Sequence, residues 1–122
     1  MKILIVEDDA KKARQLRDYM QSKSAEVILA EDGYQAMNTM KDQQFDLVMS
    51  DANMPYMDGY VLAKNVKKEF RTPFFMYSSS EIPPDNKELA KRFGADLCLV
   101  NTGILEICTE ALSAFAALKP SI

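Results

Sequence analysis

The sequence contains no histidine, only two cysteines, no long apolar run and no excess of basic charge. Without histidine, Ser-His-Asp and Cys-His catalysis and most zinc chemistry are excluded. Cys98 and Cys108 alone make no disulfide framework and lack the spacing of a metal pair. Both lie in apolar stretches, so they are expected as buried thiols in a reducing, cytoplasmic setting. No apolar run approaches the roughly 20 residues of a membrane span. Glu7, Asp8 and Asp9 interrupt the only early apolar run, which removes a signal-peptide reading. Lys and Arg number 15 against 18 Asp and Glu, a net charge of −3, which argues against direct nucleic-acid binding. What is present is 122 residues with 48% apolar side chains, enough for one domain over 1–122 with its own core. Any chemistry is left to carboxylates, hydroxyls and the backbone.

Five short apolar runs recur, at Lys2–Val6, Glu26–Ala30, Phe45–Ser50, Pro73–Tyr77 and Asp96–Val100. Near-continuous runs of this length suit strands buried on both faces. Helical periodicity fills the intervals. Ala10–Ser22 aligns Ala13, Leu16 and Met20, with Arg17 at the edge. Gly33–Lys41 aligns Ala36, Met37 and Met40. Gly59–Phe70 aligns Val61, Leu62, Asn65, Val66 and Phe70. Asp85–Phe93 aligns Leu89, Ala90 and Phe93, and Gly103–Leu118 carries a stripe from Ile104 to Phe115. Strands alternating with helices give βαβ units and a parallel sheet with right-handed crossovers. The expected fold is α/β, a flavodoxin-like (βα)5 three-layer sandwich with five parallel strands. Met37, Met40, Met49 and Met76 read as core filler.

In such sheets ligands bind beyond the carboxyl ends of the strands. Glu7, Asp8 and Asp9 follow the first strand, Asp51 the third, Ser78 to Ser80 the fourth, and Asn101 and Thr102 the fifth. The common order 2-1-3-4-5 makes strands 1 and 3 neighbours, which places Glu7 and Asp8 beside Asp51. Three gathered carboxylates repel one another unless one is protonated or a cation sits among them. Their oxygen-only set suits Mg²⁺. A carboxylate can also be a nucleophile that forms an aspartyl phosphate, whose oxygens a Ser78 hydroxyl could then meet. Each residue has a plainer reading: Asp8 or Asp9 as a helix cap, Asp51 as a turn residue, the serines as a polar loop, Asp58-Gly59 as a turn before a helix. The joint placement at three strand ends is what points to a site.

Two segments carry a resemblance: KILIVEDD at Lys2–Asp9 and SDANMPYMDGYVL at Ser50–Leu62. They resemble the opening strand with its acid pair, and the phosphoacceptor loop Asp-x-x-Met-Pro-x-Met-Asp-Gly, of the receiver domains of two-component response regulators. Thr72-Pro73 and Gly94-Ala95-Asp96 also fit, and the resemblance covers essentially the whole chain. It implies phosphorylation of Asp51, direct Mg²⁺ binding by Asp8, an indirect role for Glu7 through water, and the Asn53 carbonyl as a further ligand. Ser78 takes the place of the family's switch Ser/Thr. The implied donor is a histidine kinase or histidine phosphotransfer protein. The implied output is a surface of the fourth and fifth helices and fifth strand, read by a downstream protein or a fused effector domain. A homodimer through the fourth and fifth helix face is a further option, given the apolar Ile104, Leu105 and Cys108. Beyond phosphotransfer to itself and slow self-dephosphorylation, no enzymatic activity is implied.

The sequence departs from the family at four places. Asn101-Thr102 stands where the family's fifth strand ends in Lys-Pro, which loses a charge that meets the acceptor carboxylate and its phosphoryl group. By analogy with one lost transition-state donor, that costs about a hundredfold in rate. Thr102 also removes a proline normally preceded by a cis bond, so a trans, reshaped loop is expected. Cys98 occupies the position of an aromatic switch residue. Pro83-Pro84 stiffens the loop before the fourth helix. Lys11 and Lys12, at the start of the first helix near the acid cluster, and Lys87, beyond the altered loop, are the cations that could replace the missing lysine, but the favoured reading of all three is solvated surface. Two functions therefore compete: a phosphorylatable receiver, and a pseudo-receiver that binds proteins without phosphorylation. A flavin-binding or hydrolytic protein is disfavoured by the acids after the first strand and by the absence of histidine.

Overall fold

The computed structural model describes residues 1–78, 84–100 and 103–118, with the backbone alone for 84–86. The expectations for Ser79, Ser80, Glu81, Pro83, Asn101 and Thr102 lie outside the described residues. Ten elements alternate along the chain: β1 Lys2–Val6, α1 Ala10–Ser22, β2 Glu26–Ala30, α2 Gly33–Asp42, β3 Leu47–Asp51, α3 Gly59–Glu69, β4 Phe74–Ser78, α4 Pro84–Arg92, β5 Leu97–Val100 and α5 Ile104–Leu118. The five strands are parallel and ordered β2-β1-β3-β4-β5.

The pleat divides each strand between two cores. Leu4, Val6, Val48, Phe74 and Met76 face α2, α3 and α4, where Ala36, Met40, Leu62, Ala63, Val66 and Ala90 meet them. Ile3, Ile5, Leu47, Met49 and Phe75 face α1 and α5 and pack on Leu16, Met20, Ile107, Cys108 and Ala111. Each such side chain contributes roughly 1.5–3 kcal/mol by leaving water. This two-sided burial is why the strands read as apolar runs rather than alternating ones.

The helical stripes differ from expectation at four points. Val61, Leu89 and Leu105 are substantially exposed, and Ala63 is buried where Val61 was expected. Leu62, Ala63, Val66 and Phe70 keep the spacing of three and four that holds one face, and Val61 falls off it. Cys108 is buried on the α1/α5 side, whereas Cys98 is only partly buried and packs on the opposite core, so the two thiols lie on different faces of the sheet. Burial pushes both thiols above their ordinary range, Cys108 to about 11.

Candidate functional site

β1 and β3 are neighbours, with Val6 in register with Ser50. Asp51 and Ser78 are the last residues of β3 and β4 rather than the first residues after them. The Ala52 N–H donating to the Tyr77 carbonyl at 2.9 Å carries the ladder one step further than the apolar pattern suggests. The strand ends bring Glu7, Asp8 and Asp51 together, with one carboxylate oxygen of each within 4.8 Å of the others. Glu7 is 2% exposed and Asp51 9%, while Asp8 is exposed. Asp9 is the cap of α1: its carboxylate accepts from the N–H groups of Lys11 and Lys12 at 3.0 and 3.2 Å. That leaves Glu7 and Asp8 to the cluster.

Glu7 is held by two donors, the Asp9 N–H at 3.1 Å and the Tyr77 hydroxyl at 2.9 Å. Asp51 Oδ1 accepts from the Asn53 N–H at 3.0 Å, which fixes the first peptides of the β3–α3 loop against the carboxylate. Burial, reinforced by the Asp51 charge, raises Glu7 to about 7. Asp51 is raised in the same direction, first by burial. An all-oxygen set of crowded acids fits a hard divalent cation such as Mg²⁺, which would neutralise the repulsion that the fold imposes. Ser78 is buried at the end of the neighbouring strand, one residue beyond the Tyr77 that pairs with Asp51.

Two residues of this site are not apparent from the sequence pattern. Tyr77 reads as one more apolar strand residue, yet its buried hydroxyl is what orients Glu7. Lys12 is not solvated surface. Its Nζ lies 3.8 Å from Glu7 Oε1, 4.0 Å from Asp51 Oδ2 and 5.0 Å from the centre of the Tyr77 ring, with its side chain 15% exposed. Lys11 and Lys87 are exposed, as expected. The signal for Lys12 was its place in the first turn of α1. A cation there opposes the helix dipole by about 0.3–1 kcal/mol unless nearby acids hold it.

The loop after Asp51 is anchored by its last two motif residues. Asp58 caps α3 by accepting from the Val61 N–H, and the Gly59 N–H donates to the Ala52 carbonyl at 2.9 Å. A Cβ on Gly59 would stand 2.5 Å from the Asp51 carbonyl oxygen and 2.9 Å from the Ala52 Cα. Both are backbone atoms that no side-chain rotation can move. Gly59→Ala is therefore expected to cost about 1–3 kcal/mol, the usual range for overpacking. Urea unfolding measures it, and an unchanged midpoint would show that the loop yields freely. In the same loop Tyr56 adopts φ 70° and is largely exposed.

Comparison with known proteins agrees with this fold. The family model of the response regulator receiver domain matches residues 3–103. The chain is 30% identical over 116 residues to sensor histidine kinase RcsC of Escherichia coli K12, covering 95% of this chain and 12% of that protein. It is 33% identical over 94 residues to response regulator GtcR of Aneurinibacillus migulanus, covering 77% of this chain and 38% of the relative. It thus spans a small part of the length of these relatives. Among solved structures, Vibrio cholerae chemotaxis protein CheY4 superposes with a TM-score of 0.86 at 30% identity, over 93% of this chain and 97% of the other. The receiver domain of Francisella response regulator 1452 superposes at 0.85 with 26% identity, over 97% and 98%.

Proposed function

This chain belongs to the family of response regulator receiver domains, and we propose from that premise that it accepts a phosphoryl group on Asp51. The observation that carries the reading is the Asp51 carboxylate, nine-tenths buried at a strand end against Glu7 and Asp8. An Asp51 oxygen attacks phosphorus, the bond from phosphorus to the donor breaks, and its electron pair leaves with the donor group. Asp8, Asp51, the Asn53 carbonyl and, through water, Glu7 would hold Mg²⁺, which when bound supplies charge neutralisation for the incoming phosphoryl oxygens. The Asn53 N–H keeps Asp51 oriented, and the Tyr77 hydroxyl keeps Glu7 facing the cluster and partly offsets the burial that favours its protonated form. Ser78, at the end of β4, is the hydroxyl that meets the phosphoryl group once it is present.

The donor is a histidine kinase or histidine phosphotransfer protein, in keeping with the relatives named as a sensor histidine kinase and a response regulator. The output surface is that of α4, β5 and α5, read by a downstream protein or a fused effector domain. A homodimer on this face would use the exposed Leu105 and not the buried Cys108. No helix among the described residues is long and apolar enough to cross a membrane.

Intact mass after incubation with acetyl phosphate tests the reading. One phosphoryl adduct is expected with Mg²⁺ and almost none in chelator. A folded protein that binds Mg²⁺ yet stays unmodified would overturn it and leave a phosphorylation-independent binding module.

A further inference from the structure

We propose that Lys12 supplies the cationic contact to the phosphoryl group on Asp51, from the first turn of α1 rather than from the end of β5. The inference rests on the receiver reading above. Among the described residues, Lys12 is the cation that pairs with either buried acid of the site, at 3.8 Å from Glu7 and 4.0 Å from Asp51 Oδ2. The sequence has Asn101 where a β5 lysine would otherwise supply that charge.

Three features hold the ammonium in place. The Asp9 cap fixes the start of α1, and with it the point from which the Lys12 side chain departs. The Tyr77 ring lies beneath Nζ at 5.0 Å, a cation–π distance. The ring is itself fixed by its hydroxyl bond to Glu7. A lysine that merely decorated the surface would keep its head in water, whereas this side chain is largely withdrawn from it.

The separation suits the role. At 4.0 Å from Asp51 Oδ2 the ammonium stands beyond direct hydrogen-bond length, so it is shared between two carboxylates. Phosphorylation replaces the single charge of the Asp51 carboxylate with the roughly −1.5 to −2 of a phosphoryl group and brings three acceptor oxygens. Those oxygens extend outward from the carboxylate that Lys12 already faces, and a charge-assisted bond to one of them is the interaction that strengthens as transfer proceeds. Because Lys12 also competes with a metal for the same acids, its removal has opposite effects on the two ligands.

The test uses Lys12→Met, which keeps an unbranched apolar stem on Tyr77, with Lys12→Arg and the exposed Lys11→Met beside it. Adduct formation from acetyl phosphate is followed by intact mass, Mg²⁺ affinity by calorimetry, and folding by thermal melts. Lys12→Met is expected to slow the adduct about a hundredfold, the scale for one lost transition-state donor, while binding Mg²⁺ more tightly. Lys12→Arg should restore most of the rate, and Lys11→Met should match wild type. Wild-type rate in Lys12→Met overturns the proposal alone. Weakened Mg²⁺ binding together with a lowered melt also overturns it, because Lys12 would then be structural. An unmodified wild type would overturn the receiver reading and this proposal together.

Discussion

Asp51→Asn is expected to take no phosphoryl group under conditions that modify the wild type, and to melt higher than wild type in chelator. The first half follows from nucleophilicity. An amide oxygen cannot supply the anionic oxygen that attacks phosphorus, and Glu7, the other buried acid, is tied up by the Tyr77 hydroxyl and the Asp9 N–H. The second half follows from charge. Near pH 8, where Glu7 is ionised, like charges within about 4.8 Å of one another repel by roughly 3 kcal/mol at the effective dielectric of a protein site. Asparagine keeps an oxygen for the Asn53 N–H and gives up only the long Lys12 contact at 4.0 Å. The net gain is about 1–2 kcal/mol once that lost pairing is subtracted, which raises the melt by several degrees for a chain of this size. Intact mass and melts in chelator check both halves. A phosphoryl adduct on the variant would place the acceptor elsewhere, and a lower melt would show that Asp51 is held for structure rather than for chemistry. Strain of this kind, imposed on a fold by its own site, is what a functional cluster of acids looks like from the stability side.

The fold was legible because its signals are long and redundant. Five apolar runs separated by helical stripes admit few arrangements other than a parallel sheet, and the pairing of β1 with β3 then brings Glu7, Asp8 and Asp51 to one point. Strand ends were displaced by one residue at Asp51 and Ser78, because the ladder bond from Ala52 to Tyr77 depends on a neighbouring strand and not on hydropathy. The Val61 and Leu89 exposures were missed for a related reason. Both are apolar, and only the exact helical phase against the sheet decides which of two adjacent apolar residues is covered. The acids of the site were visible since carboxylates at strand ends are conspicuous. Tyr77 and Lys12 were not. Tyr77 is indistinguishable from a core aromatic until its hydroxyl is seen to find Glu7, 70 positions away in sequence. Lys12 reads as surface until α1 is docked with its first turn over the acid cluster. Long-range partners of long side chains are set by tertiary packing, which no local pattern encodes.

The metal-free protein is expected to lose stability as pH rises through the range from about 4.5 to 7, and Mg²⁺ is expected to cancel that loss. Glu7 has an ordinary value of 4.5 and is raised to about 7 in the fold by burial and by the Asp51 charge. Between those values the folded state retains a proton that the unfolded chain has released. The folded state therefore binds more protons, and the free energy of unfolding falls with rising pH across that window. Below it both states are protonated and the loss is absent; above about 7 the loss is complete. Its size is about 3 kcal/mol for a shift of this extent. The Asp51 shift has the same sign. Because a cation is held by deprotonated carboxylates, Mg²⁺ should raise the melting temperature strongly near pH 8 and hardly at all near pH 5. Melts across this range, with chelator and with Mg²⁺, give the two curves. Glu7→Gln should flatten most of the chelator curve and weaken the response to Mg²⁺. Tyr77→Phe removes a bond that favours the ionised Glu7, so it should move the midpoint of the loss to higher pH. A chelator curve that stays equally steep in Glu7→Gln would assign the buried proton to another group and separate the acid cluster from the pH response.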